Sequence, residues 1–101
     1  MANYNVSGLI SLAELAKNKN KWFVYILQCS DGSLYTGITN DIKYRIKQHE
    51  LGLGAKYTKG RGPLKLLYKE EYENRSLASK RESEIKRLNK KDKQALIINN
   101  K

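Results

Sequence analysis

A chain of 101 residues suffices for one domain with a modest core and is too short for two. Twenty Lys and Arg against ten Asp and Glu give a formal charge of +10, which favours a polyanionic partner such as nucleic acid. The single cysteine, Cys29, excludes an internal disulfide, and with no apolar run long enough to span a bilayer the expectation is no membrane and a reducing cytoplasm.

In chain order, Met1 to Asn20 lacks the basic start and apolar run of a signal peptide. Ser7 or Ser11 can cap a short helix with Leu9, Leu12, Leu15 and Ala16 on one face, and Lys17 to Asn20 reads as a linker. Trp22 to Leu27 is a β-branched and aromatic run almost free of charge, the pattern of a buried strand, and Leu34 to Ile38 reads as its hairpin partner. A two-residue loop, Asp31-Gly32, would turn Tyr25 and Tyr35 to opposite faces. A three-residue loop, Ser30-Asp31-Gly32 with Gly32 left-handed, sets Tyr25 opposite Gly37 and Leu27 opposite Tyr35, so both phenols share a face. Gly37 then leaves the room that the Tyr25 ring needs, and the three-residue loop is the expectation. Cys29, at the strand end, reads as a small buried hydrophobe.

After Ile38 the period changes to 3.6, with Thr39 or Asn40 as the expected N-cap and Asp41 in the first turn. Ile42, Arg45, Ile46 and His49 share one helix face, which brings a guanidinium and an imidazole to the margin of an apolar stripe. Leu51 to Pro63 is a glycine-rich loop carrying Lys56, Tyr57, Thr58, Lys59 and Arg61. Such a loop can approach phosphates and stack an unpaired base, although it lacks the spacing of a Walker loop.

Pro63 opens a third strand in which Leu64, Leu66, Tyr68 and Tyr72 face the core and Lys65, Lys69 and Glu71 face water. Asn74 or Ser76 caps the next helix, whose apolar positions are Leu77, Ala78, Ile85 and Leu88. Arg81 lies in that face, with Glu82 and Glu84 on its two margins, and spacing alone does not choose between the carboxylates. Asp92 is the expected cap of a last helix containing Gln94 to Ile98.

Val24-Tyr25-Ile26, Tyr35-Thr36-Gly37, the helix from Asp41 to His49, the loop Gly54 to Pro63 and the pair Arg81-Glu82 together resemble the GIY-YIG nucleases, over roughly residues 21 to 98. Most closely they resemble the small single-domain bacterial branch. The resemblance implies an α/β domain with a three-stranded antiparallel sheet flanked by helices, in the order strand, strand, helix, strand, helix, helix. It implies an endonuclease that hydrolyses phosphodiester bonds, with DNA the expected substrate and a role in repair or recombination within reach. It assigns Tyr35 as general base, Tyr25 to orient water or phosphate, Arg45 to the scissile phosphate and His49 to a tyrosine, here Tyr35, or to the attacking water. Glu82 would hold one Mg²⁺ or Mn²⁺. Lys56, Tyr57, Thr58, Lys59 and Arg61 are the expected substrate contacts, and Gly37 has the structural role already described. A free phenol titrates near pH 10, so the base needs cationic neighbours. Some members carry a lysine after the second triplet, where this chain has Ile38. The alternative is a nucleic-acid-binding module with the same fold and no catalysis, and an unknown protein partner is compatible with the same basic surface.

Overall fold

The computed structural model describes residues 21–99; the helix and linker expected over residues 1–20 lie outside them. Strand β1 (Trp22–Gln28) forms a hairpin with β2 (Leu34–Thr39), and helix α1 (Ile42–Glu50) follows. A 3₁₀ turn at Lys56–Thr58 precedes β3 (Lys65–Tyr72), α2 (Arg75–Lys86) and α3 (Lys90–Asn99). The sheet is antiparallel in the order β2-β1-β3. The most apolar strand therefore lies in the centre, with Val24, Ile26 and Leu27 fully buried and Tyr25 1% exposed. Among the described residues no helix is long and apolar enough to cross a membrane.

The hairpin has the three-residue loop. Tyr25 pairs with Gly37 and Leu27 with Tyr35, and Gly32 takes a φ of +85° that closes the turn. Each face of the sheet is then covered differently. Val24, Ile26 and Tyr68 pack under Ala78 and Ile85 of α2 and Ile97 of α3. Tyr25, Leu27, Cys29 and Leu64 form the other layer, with Tyr35 and with Ile42 and Ile46 of α1. The sheet separates α1 from the pair α2 and α3, and the chemistry-bearing tyrosines lie on the α1 side.

Four local expectations are corrected. Asp41 is the N-cap of α1, its carboxylate accepting from the Tyr44 N–H at 3.1 Å; Thr39 instead ends β2 and accepts from the Asp41 N–H at 3.1 Å. The alternation expected along the third strand breaks at a bulge. Ile26 pairs with Tyr68 but Leu27 pairs with Leu66, so Leu67 is an extra residue, and every side chain before it changes face. Leu64 consequently joins the tyrosine layer, Leu66 is left 36% exposed, and Leu67 packs against the α2 side. Asn74 caps α2, and Leu77, a turn edge away from the Ala78–Ile85 stripe, is 46% exposed. Asn89, not Asp92, caps α3, since its Oδ1 accepts from the Asp92 N–H at 2.8 Å.

Candidate active site

The hairpin register alone puts two phenols on one face. Tyr25 and Tyr35 have ring centroids 6.3 Å apart, tilted by 47°. The Tyr25 ring lies over Gly37 so closely that a Cβ there would be 2.6 Å from its hydroxyl oxygen and 2.8 Å from Cζ. No other residue could occupy that position without moving a side chain that is itself buried.

Helix α1 supplies the next groups because Ile42 and Ile46 turn its inner face onto the tyrosine layer. One turn after Ile46, His49 enters the layer and is 1% exposed. Its ring is edge-on to both phenols, with centroids 6.0 Å from Tyr25 and 5.1 Å from Tyr35. The hydrogen bond goes to Tyr25, whose hydroxyl is 2.9 Å from Nε2; the expected support of Tyr35 by His49 is thus an edge contact between rings. Arg45, half-buried, donates from Nη2 to the Gly54 carbonyl at 3.2 Å.

The electrostatics follow from burial. Desolvation, with the Arg45 charge adding to it, holds the His49 imidazole down to about 4, so the ring is neutral at neutral pH. Desolvation pushes the Tyr25 phenol up to about 12. The Arg45 guanidinium opposes that rise, while Tyr35 and the Glu82 carboxylate add to it. Glu82 therefore acts electrostatically on Tyr25 although α2 packs on the other sheet face.

Glu82 and Glu84, indistinguishable by spacing, differ in their surroundings. The Glu82 side chain is 19% exposed and takes an ion pair from Lys86 at 3.1 Å. Glu84 is 47% exposed and pairs with Arg81 at 3.1 Å. Arg81 turns toward the sheet and binds both oxygens of Glu70 on β3, at 3.0 and 3.2 Å. Glu70 also accepts from Tyr68 and Tyr72. Arg81 is thereby a clamp between α2 and β3, and the residue beside it, Glu82, turns a different way.

Among the described residues no three His, Cys, Asp or Glu side chains cluster as a metal-binding group. Glu82 is one hard oxygen donor with part of its surface open, which suits a hydrated dication that takes its remaining ligands from water and phosphate.

In the loop, Lys56 and Lys59 are exposed, and Tyr57 stacks on Tyr35 with centroids 5.8 Å apart. The Arg61 guanidinium lies 4.7 Å from the Tyr57 ring centroid and forms a salt bridge with Asp31 at 2.6 Å. Thr58 is a correction. It is 1% exposed, and its hydroxyl is 2.8 Å from His49 Nδ1, so it faces the core instead of a substrate. Sequence reasoning also missed Gly54, where a Cβ would be 2.4 Å from His49 Nδ1. Its only signal is a glycine shortly after the histidine helix, and the neighbouring glycines give the same signal.

Residues 21–95 match the GIY-YIG catalytic domain. Over 75 residues the chain is 56% identical to a UPF0213 protein of Clostridium perfringens (strain 13 / Type A), covering 74% of this chain and 81% of that one. It is 55% identical over 75 residues to a UPF0213 protein of Staphylococcus aureus (strain N315), covering 92% of the latter. The solution NMR structure of a UPF0213 protein from Bacillus halodurans is 45% identical, with a TM-score of 0.51 over 76% of this chain and 82% of that one. A solution NMR structure from E. faecalis is 38% identical, with a TM-score of 0.54 over 79% and 86%. Because the matched stretch runs from before β1 into α3 and takes in every element that builds the tyrosine layer, the chain belongs to the GIY-YIG family, within its bacterial UPF0213 group.

Proposed function

We propose that the protein is a divalent-metal-dependent endonuclease that hydrolyses phosphodiester bonds, with DNA as its first candidate substrate. The observation that carries the reading is the convergence of Tyr25, Tyr35 and His49 within 6.3 Å of one another on one sheet face, with Arg45 and Glu82 both acting on Tyr25. One Mg²⁺ or Mn²⁺ on Glu82 would supply charge that opposes the charge developing on phosphorus oxygens.

The residues take roles that their surroundings allow. Arg45, tethered at the Gly54 carbonyl, offers its remaining donors to a phosphate in a planar fork. Tyr25, whose hydroxyl is held by His49, orients water or phosphate through its oxygen. Tyr35, half-buried at the margin of the layer, takes the proton of the attacking water once its own phenol proton has passed to solvent. Lys56 and Lys59 neutralise backbone phosphates beside it.

One observation favours a second assignment of the base. The Tyr25 hydroxyl bonds a neutral imidazole, so Tyr25 could accept the water proton while passing its own to Nε2. A phenol pushed up to about 12 and an imidazole held down to about 4 oppose that transfer, and Tyr35 is the preferred base.

The test incubates the protein with labelled single-stranded, duplex, flapped and branched DNA, and with RNA, in Mg²⁺, Mn²⁺ or EDTA, alongside Glu82→Gln, Tyr35→Phe and Tyr25→Phe. Metal-dependent cleavage lost in Glu82→Gln and Tyr35→Phe supports the reading. Cleavage that survives both refutes the assigned site. Salt-sensitive binding with no cleavage under any condition supports the binding-module alternative instead.

A further inference from the structure

The hydrogen bonds behind Tyr25 continue past His49. Nδ1 is 2.8 Å from Thr58 Oγ1, and that hydroxyl is 3.1 Å from the Ala55 carbonyl oxygen. Tyr25, His49 and Thr58 are each 1% exposed. The direction of the whole chain follows from its end. A carbonyl only accepts, so the Thr58 proton points at Ala55 and the Thr58 lone pair accepts from Nδ1–H. Nε2 is then bare and accepts the Tyr25 proton, so three donors meet three acceptors. The reverse order would set Nε2–H against the phenol oxygen and leave the proton of a buried phenol without this acceptor, a cost of about 1–3 kcal/mol. Either neutral ring is compatible with burial. Only one satisfies the neighbours.

We infer that Thr58 is a positioning residue for Tyr25: by fixing His49 as the Nδ1–H tautomer, it turns the Tyr25 hydroxyl proton inward to Nε2 and leaves the phenol oxygen free to act as an acceptor. The consequence for cleavage rests on the proposed nuclease reading, whereas the tautomer does not. Gly54 belongs to the same device. A Cβ there would be 2.4 Å from Nδ1 and 2.9 Å from His49 Cα, so only glycine lets the loop close against the ring at the distance Thr58 requires. The 3₁₀ turn fixes the far end, with the Thr58 N–H donating to the same Ala55 carbonyl at 3.2 Å. The logic is that of any imidazole whose working nitrogen is set by the partner of the other one.

The chain contains one histidine, so the test needs no assignment. Long-range ¹H–¹⁵N correlation of the untagged, ¹⁵N-labelled full chain at pH 7 reads which ring nitrogen carries the proton. The expected result is a protonated Nδ1 and a bare Nε2 in the wild type and in Thr58→Ser, with the Nε2–H form gaining population in Thr58→Val. In the cleavage assay Thr58→Val should lower kcat by about ten- to a hundredfold with KM within about twofold, and Thr58→Ser should restore most of it. A protonated Nε2 in the wild type overturns the inference. So does a wild-type tautomer in a folded Thr58→Val, or an unchanged kcat in that variant. If Thr58→Val does not fold, judged by its amide spectrum, the wild-type and Thr58→Ser spectra still decide. If no nucleic acid is cleaved, the nuclease reading fails while the ring spectra continue to report on Thr58.

Discussion

Gly54→Ala adds one carbon where three atoms of His49 already stand, at 2.4 Å (Nδ1), 2.7 Å (Cγ) and 2.9 Å (Cα). Non-bonded carbons settle at about 3.5–4.0 Å, so every one of these contacts is too short by more than about half an ångström. Rotation of the ring cannot relieve them, because Nε2 and Nδ1 are both engaged and Cα belongs to α1. Either the ring leaves its pocket and loses two buried hydrogen bonds, or the segment around Gly54 moves out and releases Arg45. Overpacking of this kind costs about 1–3 kcal/mol, and one or two lost hydrogen bonds add about 1 kcal/mol each. The sum is about 2–5 kcal/mol, and at about 4–8 °C per kcal/mol for a domain of this size the melting temperature should fall by at least about 8 °C. Gly60→Ala is the comparison. It meets nothing within 4 Å and bears only the strain of a φ of +75°, about 1 kcal/mol. Thermal and urea unfolding followed by circular dichroism should separate the two variants. A Gly54→Ala protein within about 2 °C of the wild type, or no worse than Gly60→Ala, would refute the argument.

The depressed His49 predicts acid sensitivity. Its folded value of about 4 lies below the ordinary 6.5, so the unfolded chain binds the proton first; the contribution is complete above pH 6.5 and is lost as pH falls toward 4, by about 2–3 kcal/mol. The difference in urea stability between the wild type and His49→Gln should shrink from pH 7 to pH 4, and a pH-independent difference would contradict it. Glu70→Gln should cost about 2–3 kcal/mol, because it weakens the Arg81 clamp and its contacts to two phenols. Glu84→Gln, half-exposed, should cost under about 1 kcal/mol in the same assay, and equal losses would disprove the clamp. If nucleic acid is bound, Lys56→Ala and Lys59→Ala should each reduce the slope of log K against log salt by about 1. Arg61→Ala should reduce it less, since Asp31 already neutralises that guanidinium; the opposite ranking, measured by fluorescence anisotropy over a salt series, would reject the loop as the phosphate contact.

Much of the site was legible because it depends on local rules. The run from Trp22 to Leu27 has the composition of a central strand, and a three-residue loop was enough to set Tyr25 opposite Gly37. The spacing of Ile42, Ile46 and His49 aimed α1 at the same face. What failed depends on contacts between segments distant in sequence. Nothing in Lys65 to Tyr72 marks Leu67 as an extra residue, since Leu66 and Leu67 are chemically alike and only pairing with β1 shows which is unmatched. Thr58 sits among basic and aromatic residues and reads as a contact by its company, yet its hydroxyl turns inward to an imidazole nine residues earlier. The caps proved to be Asp41 in place of Thr39 or Asn40, and Asn89 in place of Asp92, because several adjacent polar residues could each have done the work.

Residue chemistry and period, taken alone, determined a basic α/β fold, that its two tyrosine triplets face each other in a hairpin, and that an arginine and a histidine share a helix face. Those properties are carried by side chains within a few residues of one another, where alternation and helical spacing leave little choice. The tertiary structure decided which phenol His49 holds, that Glu82 lies in a more buried place than Glu84, and that Gly54 must lack a side chain. Each of these depends on sub-ångström distances between β1, α1, α2 and the loop, and such distances exist only once both faces of the sheet are packed.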